Sequence, residues 1–305
     1  MNTSTPFVSH LRFVSGWNRF TLKLAGALAL LLAFALPASA QSLSGLDLGL
    51  ANDYAFVSLG AGGSAKINSG PVTGSVLIGQ GATLATSGGN NGGLTNGGIL
   101  YYDNTASTDS SGLNTPPATA LVSVGLTLSA LNLAQSVSAY ASGLMATQTF
   151  STINSATTIT GNGGINVIDL ADLKNADLTI SGGPNDYFVF NVSGAVDSNN
   201  VMSLTGGALA SHILWNLTGS GTVFQTSGGN ASIGTFLAVN GGDFQFSNLV
   251  LDGALINAGG HIEFVSGSHM TGFNGFTVPE PSTMGLSAIG IFALVTRRRR
   301  SAPMK

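Results

Sequence analysis

The 305-residue chain contains no cysteine. That excludes a disulfide framework, thiolate metal ligands and thiol catalysis at once. The fold must therefore rest on packing and backbone hydrogen bonds. Charge is also scarce: 8% of residues are charged, against about 25% in ordinary globular domains. The few bases are unevenly placed. Arg12, Arg19 and Lys23 precede an early apolar run, and Arg297, Arg298, Arg299, Arg300 and Lys305 close the chain. Between Gln41 and Val278 only Lys66 and Lys174 are basic, against eleven Asp and Glu263, a formal charge of −10. A body of that sign repels phosphate backbones, so no nucleic-acid partner is expected.

Glycine is abundant, at 43 residues, and 44% of the chain is hydrophobic. That apolar content is enough to build a core. Many glycines and small polar residues with little charge favour all-β structure with tight turns.

The two ends carry delivery signals. Residues 24–36 form an apolar run behind three cations, followed by Ala38, Ser39 and Ala40. This is the three-part pattern of a secretory signal, and the run is short for a spanning helix, which needs about 20 residues. Residues 1–40 are predicted to be a signal peptide cleaved after Ala40 by signal peptidase, leaving Gln41 first. At the other end, Val278, Pro279, Glu280 and Pro281 precede a mostly apolar stretch and the four arginines. As a helix, residues 282–296 would cover about 22 Å, short of the roughly 30 Å hydrocarbon core. The arginines would stay cytoplasmic. Residues 278–305 thus predict a short transmembrane helix that stops briefly in the inner membrane. A plain tail anchor is the alternative.

Between the signals, residues 41–276 form the body. Its first part is Gly-rich with short β-type runs, clearest at 72–78 and 98–102. Pro116 and Pro117 then mark a change. Leu121, Val124, Leu128 and Leu131 recur at helical spacing, and Val137, Tyr140 and Leu144 continue on a shifted face. This predicts one long amphipathic helix over about 118–149, bent near Gly125 or Gly143, or two shorter helices. From residue 153 to 276 short apolar runs alternate with Gly-Gly, Asn-Gly and Ser-Gly turns. Irregular coils of this size fit a β-solenoid, with a β-sandwich as the alternative. The expected fold is mainly β: an irregular, β-helix-like solenoid with one long flanking helix.

The tail resembles the PEP-CTERM sorting signal, with its Pro-Glu-Pro motif, apolar helix and basic cluster in order over about the last 28 residues. That resemblance implies processing by a membrane-embedded exosortase, in bacteria that make exopolysaccharide. The body resembles the choice-of-anchor A domain of bacterial surface proteins. The residues carrying the likeness are Asn185-Asp186-Tyr187-Phe188-Val189-Phe190-Asn191-Val192, then Ile213-Leu214-Trp215-Asn216, then Gly234-Thr235-Phe236-Leu237-Ala238. Val239 departs from it, where that family often has proline. A looser similarity is to ice-binding β-solenoids, which also set a long helix beside β coils. These resemblances imply surface display and no particular chemistry.

The residues themselves offer little catalysis. Ser is plentiful near His212, His261 or His269, but no nucleophile-elbow pattern accompanies them. Asp169 with Asp172, or Asp252 with Glu263, could form a carboxylate pair of glycosidase type; an Asp in such a segment more often caps a turn. His261 and Glu263 alternate on one strand face but lack a third metal ligand. Asp169 to Asp177 could attract calcium, yet shows no Gly-x-Asp repeat. The Gly60–Gly63 segment lacks the Lys-Ser/Thr of a phosphate cradle. Tyr187 and Trp215 sit in strongly apolar runs, which predicts burial rather than sugar stacking. No catalytic residue, cofactor or metal ligand is assigned. The expected function is that of an exported, non-enzymatic protein of the cell surface or extracellular matrix. It would be structural or adhesive, associated with exopolysaccharide, and pass through a membrane-anchored precursor. The alternatives are a surface polysaccharide-active enzyme, or an ice-binding-like solenoid; for the latter Thr157, Thr158 and Thr160 are the only dense Thr cluster.

Overall fold

The computed structural model describes residues 42–278, apart from 69, 87–92, 96, 110–117, 229–230 and 266. Ala38, Ala40, Gln41, Pro279, Glu280, Pro281, Arg297, Arg298, Arg299 and Arg300 lie outside the described residues, as do the expected signal peptide and sorting helix. No helix among the described residues is long and apolar enough to cross a membrane.

Every strand pairing among the described residues is parallel. This is a β-solenoid, and it rules out the antiparallel β-sandwich. Its strands lie on three faces. Along the first face the order is Ala118–Leu121, Ile99–Tyr102, Val76–Gly79, Phe56–Leu59, Val250–Ala258, Ala231–Ala238, Ile213–Leu217, Tyr187–Val192, Ile165–Lys174 and Gln148–Ile153. This is not chain order. The first coil of the chain lies in the middle of the stack and docks on one of the last, with Phe56 opposite Leu255 and Leu59 opposite Ala258.

The chain winds outward from that seam, returns as a helix, and winds back to it from the other end. The helix, α1, spans Val124–Ser142. Ser123 caps it, its Oγ accepting from the Leu126 N–H at 3.2 Å. It is one helix, and shorter than the periodicity predicts. Residues 118–121 and 148–153 are strands instead, because each completes the ladder at one end of the stack. The expected packing stripe also shifts. Leu121 and Leu128 are exposed, while Thr127, Ala130, Ala134, Val137, Ser138 and Ala141 are buried. Small side chains let the helix lie close on the sheet.

Burial pattern separates the faces. First-face strands such as Phe56–Leu59 and Ile213–Leu217 are buried at every position. One side of each fills the solenoid interior, and the other packs under α1. Parallel strands covered on both sides read as continuous apolar runs. On the second face, Thr83–Thr86 and His261–Val265 alternate exposed and buried, as a half-covered sheet requires. Inside the solenoid, Phe190, Trp215 and Phe236 stack on successive coils, at 4.0 and 5.4 Å between ring centroids. Trp215 Nε1 donates to the Ile233 carbonyl at 2.9 Å.

Candidate functional site

Most polar side chains that look chemical in sequence are occupied by the scaffold. Asp186 is buried and accepts from the N–H groups of Gly163, Gly164 and Gly183 and from Asn166 Nδ2. Burial opposes its ionisation, but these hydrogen bonds outweigh that and lower its pKa. His212 is buried, stacks on Tyr187 at 4.0 Å, and lies 3.2 Å from the Asp186 carbonyl. Burial holds its pKa down against that bond, which favours the neutral imidazole.

Two further polar clusters fasten α1 to the coils. At its start, Asp103 accepts from Thr127 Oγ1, from the hydroxyl and N–H of Thr105, and from the Gln80 N–H. Burial opposes the charge, yet these bonds together hold the Asp103 carboxyl at about 2. Near its end, Asn216 Oδ1 accepts from Ser138 Oγ at 2.6 Å, and Asn216 Nδ2 donates to Ser142 Oγ at 3.0 Å and Asn191 Oδ1 at 2.9 Å. Asn191 Nδ2 donates to the Ala141 carbonyl at 2.9 Å.

The carboxylates paired from sequence are each engaged by separate partners. Asp169 lies 3.3 Å from Asn191 Nδ2, and Asp172 accepts from the Ala195 N–H and pairs with Lys174. Asp252 and Glu263 are on different faces, Asp252 accepting from Asn274 and Glu263 paired with Lys66 at 3.0 Å. Ser64 Oγ does meet His261 Nδ1, at 2.5 Å. Asp243, the neighbouring acid, accepts from the His261 backbone N–H, so it does not orient the ring as a triad would. No group of three or more potential metal ligands gathers among the described residues. Trp215 is fully buried and Tyr187 nearly so, which removes both as exposed sugar platforms.

Two outward-facing, partly exposed arrays remain. On the third face, Thr157–Thr160, Leu178–Ser181 and Met202–Thr205 pair in register. Thr158, Thr179 and Ser203 form one outward row, and Thr160, Ser181 and Thr205 the next. Coils are about 4.8 Å apart, and Thr179 and Ser203 hydroxyls lie 3.2 Å apart. Sequence reading found only the first of these triplets. The recurrence of Thr-Ile-Thr, Thr-Ile-Ser and Ser-Leu-Thr was the available signal. On the second face, one outward row runs Lys174, Asp197, Gln225, Gln245, Glu263, Lys66, one side chain per coil. Its middle lines a shallow groove of about 340 Å³.

A solenoid completed by a mid-stack seam, with one helix along its covered face, can be set beside known proteins. Residues 43–269 match the family model described as "Putative Ice-binding-like adhesive domain". The chain belongs to this ice-binding-like adhesive family. This match shows the ice-binding-like likeness and not the choice-of-anchor A one, and residues 277–300 match the PEP-CTERM protein-sorting motif. Among solved structures, the adhesive domain resembles an ice-binding protein from the Antarctic ascomycete Antarctomyces psychrotrophicus. Identity is 17% and the TM-score 0.51, over 77% of this chain and all of that one. It also resembles a glycosylated ice-binding protein from an Arctic yeast, with 16% identity and a TM-score of 0.50 over 79% of this chain and 99% of that one. At such identities the likeness is one of fold. No curated protein sequence matches the chain.

Proposed function

We propose that the chain is an exported, non-enzymatic adhesive of the bacterial cell surface or extracellular matrix, held in or on exopolysaccharide. The observation that carries this reading is the adhesive-family match over most of a body whose catalytic-looking side chains are tied up by its own scaffold. The sorting motif supports delivery by an exosortase-type enzyme after signal peptidase has acted, through an intermediate held briefly in the inner membrane. The exported protein, added to the host's own matrix, is expected to be retained without releasing sugars. Soluble oligosaccharide in the supernatant would instead favour a polysaccharide-active enzyme.

A second reading, ice binding, has one specific observation in its favour: the two-row hydroxyl array of Thr158, Thr179, Ser203, Thr160, Ser181 and Thr205. The relatives of like fold are ice-binding proteins. Ice recrystallisation inhibition that disappears on replacing Thr179 and Ser181 with tyrosine would establish it.

A further inference from the structure

We infer that the second-face row between Lys174 and Lys66 is a binding track for an uncharged, extended glycan chain. The inference rests on the adhesive reading and assigns it a surface.

The row contains both lysines of the body, one at each end. Inside them stand two carboxylates, Asp197 and Glu263, and at the centre two amides, Gln225 and Gln245. Each end carries an ion pair, Lys66 with Glu263 at 3.0 Å and Lys174 with Asp172 at 3.4 Å. The charges within the row itself cancel, although the body as a whole is strongly acidic. A polyanion would meet the repulsion of that body and gain no net positive charge from the row. A cationic partner would find, on the row, only Asp197 outside these two ion pairs. The other unpaired groups at its centre are amides, which suit an uncharged polyhydroxyl chain.

The central chemistry agrees. The side chains of Asp197, Gln225 and Gln245 make no hydrogen bond to other described residues, so they are available to a ligand. An amide offers both donor and acceptor, and a carboxylate accepts from two directions. Adjacent sugar hydroxyls present the same alternation. Successive coils are about 4.8 Å apart, the length scale of one sugar ring. The six side chains therefore span roughly 24 Å, enough for a short run of rings lying along the solenoid axis. Beneath the row, Phe224, Phe244 and Phe246 are buried and packed together. They fix the backbone beneath the track, so that only the outward side chains need ordering on binding.

Calorimetric titration of the exported protein with cellohexaose, mannohexaose and a galacturonic acid hexamer tests the assignment. Binding of at least one neutral chain is expected, with affinity lost tenfold or more in Gln225→Ala/Gln245→Ala. Thr179→Ala/Ser203→Ala, on the third face, should bind as the parent does, and neither pair should shift the melting temperature appreciably. Neutral-chain binding that survives the Gln225/Gln245 pair overturns the track and leaves the adhesive reading standing. So does tighter binding of the uronate hexamer. Failure of the unaltered protein to bind any of the three, or the host matrix, overturns both.

Discussion

Lys66 and Glu263 are separated by 197 residues in the chain and by 3.0 Å in the fold. Ser64 with His261, and Thr73 with the Met270 carbonyl, repeat the same separation of 197. Elsewhere hydrogen bonds between neighbouring coils commonly join residues some 20 to 26 apart, as in Asn166 to Asp186 and His212 to Asp186. These three contacts therefore mark the seam where the two windings of the chain close on each other.

The seam should depend on its backbone rather than on its ion pair. Lys66 and Glu263 are both nearly half exposed, and exposed pairs contribute about 1 kcal/mol or less. Gly70 is different. Its φ is +99°, and a β-carbon there would stand 1.6 Å from the Ser268 carbonyl oxygen. Lys66→Ala should lower stability by less than about 1 kcal/mol, and Gly70→Val by about 3 kcal/mol or more. Urea unfolding of the two variants measures this, and equal effects would show that the seam is held otherwise.

Asp103 should give the body an acid-sensitive term. Its carboxyl is held at about 2 in the fold, below its unfolded value of about 3.9. The unfolded chain binds the proton first, so the stabilisation is present above about pH 4. It is lost as pH falls from there through about 2. Asp103→Asn, which cannot accept as many hydrogen bonds, should cost about 1 to 3 kcal/mol at pH 7. The gap between parent and variant should narrow as the pH approaches 2. Thermal melts at pH 7 and pH 3 test this, and a gap that widens in acid would contradict it.

Trp215 should behave as a core residue. Signal cleavage would remove Trp17 and leave Trp215 as the single tryptophan of the exported chain. Its emission should be blue-shifted and insensitive to acrylamide, moving red only on unfolding. Trp215→Ala should cost about 3 to 5 kcal/mol. Strong quenching in the native state would place the indole at the surface.

The terminal signals predict a definite mature form. Mass spectrometry of the surface protein should find Gln41 first and the residues from 297 to 300 absent. Alanine at Pro279, Glu280 and Pro281 together should leave the precursor in the inner membrane. Persistence of the four arginines in the surface form would make the tail a simple anchor.

Much of the architecture was written locally. Gly-rich turns between short apolar runs specify β coils. The change after Pro117 specifies a helical segment, and the strongly apolar runs around Tyr187 and Trp215 specify core. These are consequences of backbone freedom and side-chain burial within a few residues of each site. Stacking order was not local. Parallel ladders are made of backbone groups common to every residue, so nothing in Phe56–Leu59 names Val250–Ala258 as its partner. That choice was made by closure of the whole stack. The same closure put Lys66 beside Glu263, aligned Gln225 with Gln245, and turned Ala130, Ala134 and Ala141 of α1, rather than Leu128, toward the sheet. Residue type determined that this protein would coil; only tertiary structure decided which coils would meet, because a shared backbone cannot encode its partner.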